Sequence, residues 1–167
     1  MMAAGQIRIE PLTKAAFKPF GDVIETEGAE LRIINGGSTE RFHDLMAIDV
    51  LPEGGRPIVS IFRGQPFAFP VAIKMVERHP LGSQAFIPMG KFPFLLVVAE
   101  DNNGTPEAPR AFLATGGQGV NYGRNVWHHP LLSLETVCDF LVIDRSGPGN
   151  NLQEFFYPGE GFTVAQS

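Results

Sequence analysis

Apolar residues along this chain fall in short stretches that alternate with polar ones, and Gly, Pro, Asn and Asp separate the stretches. The period inside most of them is two, which is the strand period. Residues 7–12 read as an opening strand. Thr13 is placed to cap a short helix over 14–20, which Gly21 ends. Residues 22–26 and 31–34 read as short strands, followed by a turn at Asn35-Gly36-Gly37. Residues 41–51 alternate well: Phe42, Met46, Ile48 and Val50 share one face, Arg41, His43 and Asp49 the other. Further strands are predicted over 57–63, 71–79, 83–89, 92–99, 110–115, 125–134, 136–144 and 153–157. Residues 101–109 read as a polar surface loop, and Gly116-Gly117-Gln118-Gly119 as a turn.

This makes ten or more strands and one short N-terminal helix, with no strand–helix–strand alternation. The pattern predicts an all-β chain, an antiparallel β-barrel or jelly roll, with a single domain over residues 1–167. Barrels of this kind bind ligands in their mouths or interiors.

Two segments break the binary pattern informatively. Over 71–79, a strand puts Val71, Ile73, Met75, Glu77 and His79 on one face, and Ala72, Lys74, Val76 and Arg78 on the other. An apolar face that ends in a carboxylate and an imidazole costs several kcal/mol (roughly) unless those groups are paired or bound to something. The alternatives are a Glu–His pair that closes the mouth of a sheet and a chemical site. The second segment, 119–130, holds the only Trp and two of the four His. Arg124, Val126 and His128 share one face there. Trp127 and His129 share the other, so one imidazole is a site candidate and its neighbour faces the surface or an interface.

Composition narrows the classes. Gly and Pro, at 19 and 14, make up about a fifth of the 167 residues, against a usual ~12%, and they are spread as punctuation. The net charge of −5 and the lack of a Lys/Arg cluster argue against nucleic acid. No apolar run approaches the ~20 residues of a membrane helix, and residues 1–8 do not read as a secretory signal. The single cysteine, Cys138, lies in an apolar run and reads as a buried hydrophobe. It allows no intrachain disulfide, which suits a cytoplasmic protein.

No phosphate-cradling loop, nucleophile elbow or Cys pair is present. General acid–base chemistry by Glu and His remains, with or without a metal, and Arg is available for an anionic substrate. Arg63, Arg124 and Arg41 are the candidate carboxylate clamps. Arg78 is turned away from Glu77 and His79 by the strand period.

Glu77-x-His79, four residues, then Gln84 has the spacing of the first cupin motif, with Glu in place of the first His and Gln in place of the Glu. His128 stands where a later strand supplies another His. The chain thus resembles a cupin with the altered set Glu77, His79, Gln84 and His128. Longer blocks carry a closer resemblance. Phe20-Gly21-Asp22-Val23-Ile24-Glu25, Ile34-Asn35-Gly36-Gly37, Arg41-Phe42-His43-Asp44-Leu45, residues 77–89 and residues 119–130 resemble the ureidoglycolate lyase family, in the family's order. The resemblance implies a cytoplasmic, homodimeric cupin of allantoin (purine) nitrogen catabolism that cleaves (S)-ureidoglycolate to glyoxylate and urea. Some members of that family are described as nickel-dependent. A divalent metal such as Ni²⁺ at Glu77, His79, Gln84 and His128 is therefore the cofactor to test for.

The substrate's chemistry suits these residues. Breaking its C–N bond needs a base for the hydroxyl proton and an acid for the departing nitrogen. Glu77 or His79 is the candidate base and His128 the candidate acid, or these groups ligate a metal. Gln84, Asn35 and His43 are further substrate-binding candidates. Two other functions compete: a non-catalytic cupin that binds a small carboxylic acid, and an amidohydrolase that releases ammonia.

Overall fold

The computed structural model describes residues 5–166, so the first four residues of the N-terminal reading lie outside the described residues. Two sheets face each other. One has five strands in the order Gly21–Ile24, Gly119–Tyr122, Gln84–Pro88, Cys138–Ser146, Arg56–Gly64. The path of the other runs Gln153–Phe156, Met75–Arg78, Trp127–His128, Phe94–Ala99, Arg110–Ala114, Ile9–Pro11, and Leu132–Leu134 and Pro66–Phe67 join beside it. Pairing is mainly antiparallel. Three short pairs are parallel: 6–7 with 162–164, 9–11 with 110–114, and 66–67 with 132–134. The sheets do not close on themselves, so the predicted all-β, cupin-like architecture is present as an open sandwich.

The main core lies between the sheets. Phe86, Val120, Tyr122, Phe140 and Val142 come from one side, and Phe94, Leu96, Val98 and Phe112 from the other. A second core lies behind the larger sheet, where Leu95, Val97 and Ala111 meet Val71, Ile73 and Val164 of a small third sheet. Phe94–Ala99 is therefore buried along its whole length. A strand covered on both faces needs an unbroken apolar run, and Phe-Leu-Leu-Val-Val-Ala is one.

The helix covers one end of the main core. Thr13 caps it by accepting from the Ala16 N–H, and Phe17 and Phe20 are buried. It spans Lys14–Phe17, and a tight turn from the Phe17 carbonyl to the Phe20 N–H completes the predicted segment. Gly21 follows at φ +145°, and a Cβ there would stand 1.8 Å from the Asn121 carbonyl oxygen. Only glycine allows so close an approach of the 119–122 strand.

Several predicted elements change in detail. The 71–79 strand breaks at Lys74. Val71–Ile73 joins the small sheet and Met75–Arg78 the large one. Residues 41–51 form strand only to His43, because Asp44 takes φ 55° and the rest crosses the outer face of the five-stranded sheet. Side chains anchor it there: Asn121 Nδ2 donates to the Ala47 carbonyl and Ser83 Oγ accepts from the Asp49 N–H. Residues 125–134 hold two short strands, not one. The 101–109 loop contains a small hairpin of 101–102 with 105–106. The 7–12 strand splits, residues 6–7 joining the small sheet and 9–11 the large one, and the strands at 119–122 and 162–164 are too short or too Gly-bound to be read from pattern.

Candidate active site

Glu77 lies on the 75–78 strand directly opposite His128 on the 127–128 strand. Its neighbours Val76 and Arg78 point to the other side. Val76 is buried against Ala99 and Trp127. Arg78 places its guanidinium 4.2 Å over the Trp127 ring and bonds Asp101 and Gln153. The strand period then turns Glu77 toward the space between the sheets.

His79 follows at the end of that strand. Its Nδ1 lies 2.8 Å from the Asn151 carbonyl oxygen, and its own carbonyl accepts from the Asn125 N–H. His128 is 1% exposed and stacks on Tyr122 with ring centroids 4.3 Å apart and planes 10° from parallel. Its Nδ1 lies 2.9 Å from the Val126 carbonyl oxygen. A carbonyl only accepts, so both rings donate from Nδ1 and turn Nε2 toward the site, and on neutral His128 that Nε2 is a bare lone pair.

Those two Nε2 atoms converge on one carboxylate. His79 Nε2 is 3.9 Å and His128 Nε2 3.7 Å from Glu77 Oε1. The three possible ligand atoms all lie within 4.8 Å of one another, and both Nε2 atoms are buried without a hydrogen-bond partner. Two ring nitrogens and a carboxylate oxygen that face one another without a hydrogen bond call for a proton or a cation between them. Two imidazoles fixed by backbone carbonyls, with one carboxylate, suit a divalent ion such as Ni²⁺ or Zn²⁺. The donor set therefore fits a metal.

Burial sets the protonation of the cluster. It raises the Glu77 pKa, with the nearby His79 charge opposing and Glu154 adding to the shift. Glu154 stands opposite Glu77 on the 153–156 strand. Burial also lowers the His128 pKa to about 3, and His79 reinforces this. His128 is thus a neutral imidazole at physiological pH.

A cavity of about 460 Å³ opens above the cluster, lined by Glu77, His128, Gln84, Phe62, Phe86 and Leu131 among others. That is ample for a small hydroxy acid. Gln84 comes from the facing sheet, in register with Tyr122. Glu77, His79, Gln84 and His128 are thereby gathered as a group, with the His79 and His128 rings 5.2 Å apart.

The other candidates are not part of this group. Arg63 touches the rim of the cavity, but its guanidinium makes two bonds to Asp139 at 2.7 and 2.9 Å, across from it on the neighbouring strand. The depression around Arg63, Met89, Phe92 and Asp139, at about 510 Å³, lies apart from the Glu77 cluster and includes none of its residues. Arg124 pairs with Asp49 at 3.3 Å, on the loop whose Asn125 is tied to His79. Asn35 lies at the tip of the exposed 30–43 hairpin, where its side chain bonds Thr39. Arg41 faces Arg32 across that hairpin. His43 lines a different depression with Lys14, Lys18 and Asp22.

Trp127 corrects an expectation. It is 2% exposed, covered by Arg78 and Phe155 and bonded through Nε1 to Asp101. The larger sheet has a second layer on this side, so Trp127 is a packing residue and not an interface group. Pattern reading missed Tyr122, Asp144 and Asn151. Tyr122 and Asp144 sit one strand away from Gln84 on either side, and only the strand order reveals that.

Comparison with known proteins gives the family of the chain. The family model described as ureidoglycolate lyase matches residues 4–165. A ureidoglycolate lyase of Brucella anthropi is 64% identical over 93% of this chain and 92% of its own. One of Rhizobium etli is 60% identical over 89% and 90%, and one of Brucella melitensis 58% over 95% and 94%. A match of this extent leaves no part of the sandwich or of the Glu77–His79–His128 cluster outside the aligned region, and the chain belongs to the ureidoglycolate lyase family.

Proposed function

We propose that this protein is a ureidoglycolate lyase, which cleaves (S)-ureidoglycolate to glyoxylate and urea in allantoin nitrogen catabolism. The observation that carries the reading is the convergence of Glu77, His79 and His128, with Glu77 and His128 lining one small cavity. The reaction removes the hydroxyl proton, and the O–H electron pair becomes the second bond of the glyoxylate carbonyl. The C–N pair leaves with nitrogen, which takes a proton to complete urea.

Glu77 is the proton carrier in this scheme. Its raised pKa makes it a stronger base than an ordinary carboxylate and lets it keep a proton to higher pH as the acid. His128, expected from the sequence to be the acid, has a bare Nε2 and a lowered pKa, so it holds no proton to give. It instead accepts from the substrate or from Glu77, and His79 helps to hold that cluster in place. A divalent ion held by Glu77, His79 and His128 would polarise the substrate hydroxyl as a Lewis acid. Hydrolysis of the ureido carbonyl needs an activated water and an oxyanion hole, whereas elimination needs only a base, an acid and a carboxylate clamp.

The deciding experiment is an assay of the purified protein on (S)-ureidoglycolate, with urea and ammonia measured separately and no urease present. Stoichiometric urea supports the lyase. Ammonia without urea assigns an amidohydrolase, and saturable binding without product assigns a binding protein.

The same reading includes one domain, a cytoplasmic location and a homodimer. Cys138 is buried and unpaired, and no helix among the described residues is long and apolar enough to cross a membrane. The outer face of the five-stranded sheet leaves Val59 64% and Ile61 52% exposed on an edge strand of nine residues. A long apolar edge invites a partner. Light scattering across a concentration series tests the dimer.

A further inference from the structure

Gln84 and Asp144 sit side by side on the inner face of the five-stranded sheet. Ala85 pairs with Ile143 across the neighbouring strands, so the next position in each strand brings these two side chains together. Gln84 Nε2 donates to Asp144 Oδ2 at 3.2 Å. Gln84 is 7% exposed and lines the cavity with Glu77 and His128. Its Oε1 is buried without a partner, and so is Asp144 Oδ1. Arg145, the nearest cation in sequence, faces away and binds the carbonyls of Pro52 and Pro148.

The amide edge that faces Asp144 is the NH₂, so the Gln84 carbonyl oxygen faces the other way. A buried acceptor left without a donor is destabilising, so this oxygen calls for a donor from a ligand. The proposed substrate offers N–H donors at its ureido end and one O–H on the reacting carbon; that O–H is the proton taken in the reaction, so a ureido N–H is the donor left for Gln84.

We propose that Gln84 Oε1 accepts the internal N–H of the ureido group, the nitrogen that departs with urea, and that Asp144 is the positioning residue that locks the Gln84 amide in the accepting orientation. The pair makes the site specific for ureido acids and places the scissile nitrogen beside Glu77. This inference rests on the cavity being the ureidoglycolate site. It leaves Gln84 out of any metal ligand set. A site built to bond an N–H rejects an analogue that lacks it far more strongly than a greasy pocket rejects a missing methylene.

The test uses two inert ligands in calorimetric titration. N-carbamoylglycine keeps the ureido acid but lacks the hydroxyl, so it cannot be cleaved. Succinamate replaces its internal N–H with CH₂. Wild-type protein is expected to bind N-carbamoylglycine at least about tenfold more tightly than succinamate. In Gln84→Met, and separately in Asp144→Asn, that preference collapses, while inhibition by glyoxylate stays within about twofold and metal content is unchanged. Asp144→Asn leaves Gln84 itself intact, so lost discrimination there reports the amide's orientation and not its absence. Equal binding of the two ligands by wild type, no binding of either, parallel loss of glyoxylate binding in both variants, or loss of metal would each overturn the proposal. Preference for N-carbamoylglycine by a protein that releases no urea would leave the inference standing and remove the lyase reading.

Discussion

Glu77 and His128 face each other across the one register pair that joins the 75–78 and 127–128 strands, with His128 Nε2 3.7 Å from Glu77 Oε1. Fifty residues of sequence separate them. The contact is possible because the outer sides of the same two strands are clamped by Arg78 on Trp127.

That clamp is open to test. Arg78 is nearly buried, bonds Asp101 and Gln153, and covers the indole. Arg78→Ala is expected to cost roughly 2–3 kcal/mol of stability, from the charged hydrogen bonds and the cation–π contact. Because the strand pair carries Glu77 and His128, kcat should fall as well. Denaturant unfolding measures the first and steady-state kinetics the second. Unchanged stability would remove the clamp from the account.

His79 is the ligand-bearing side chain with the least packing role. His79→Ala should lower kcat by about 10² or more with little change in melting temperature, because the ring is held chiefly by one bond to the Asn151 carbonyl. A variant that keeps most of its kcat would place the chemistry elsewhere.

The bare Nε2 of His128 predicts how a metal binds. Neutral His128 has no proton to lose at the site, so Ni²⁺ or Zn²⁺ binding should release none from it. Titration calorimetry in buffers of different ionisation enthalpy, on wild type and on His128→Asn, counts the protons released. One ion per chain is expected, and Glu77→Gln should weaken it at least about tenfold. Full activity in protein shown by elemental analysis to be metal-free would take the metal out of the reaction.

Stability of the metal-free protein should depend on pH through His128. Its folded pKa of about 3 lies below the ~6.5 of an unfolded histidine. Its contribution is complete above pH 6.5 and is lost as pH falls toward 3, because only the unfolded chain takes the proton. The slope from this group is at most about 1.4 kcal/mol per pH unit. Glu77, shifted upward, works in the opposite direction. The His128 share is therefore read by comparison with His128→Asn, whose unfolding free energy should fall less steeply between pH 6.5 and 4. Identical slopes would contradict a neutral buried His128.

The two arginine candidates should separate. Arg63 is exposed and engaged by Asp139 across the strand pair, so Arg63→Ala should leave KM within about twofold. Arg124 sits on the loop anchored to His79 through Asn125 and is held more loosely, at 3.3 Å from Asp49. Arg124→Ala should raise KM by about tenfold, the scale of a charged hydrogen bond to a carboxylate.

Local sequence carried the period-two pattern, and with it the all-β class, the Thr13-capped helix and the inward turn of Glu77 and His79 relative to Arg78. Each depends only on alternation along one strand or on the residues of one helical turn. The spacing of Glu77, His79 and Gln84 was legible for the same reason, and the matching blocks made His128 their partner. The tertiary structure decided what depends on strand order and on layers. It buried Trp127 by stacking Arg78 and Phe155 over it, and it carried Asn35 and His43 away on a hairpin. It also set Tyr122 and Asp144 on either side of Gln84. Alternation tells which side of a strand a residue takes, but not which strand lies next to it or whether another layer covers that side. Those follow from long-range pairing and burial, which no local pattern encodes.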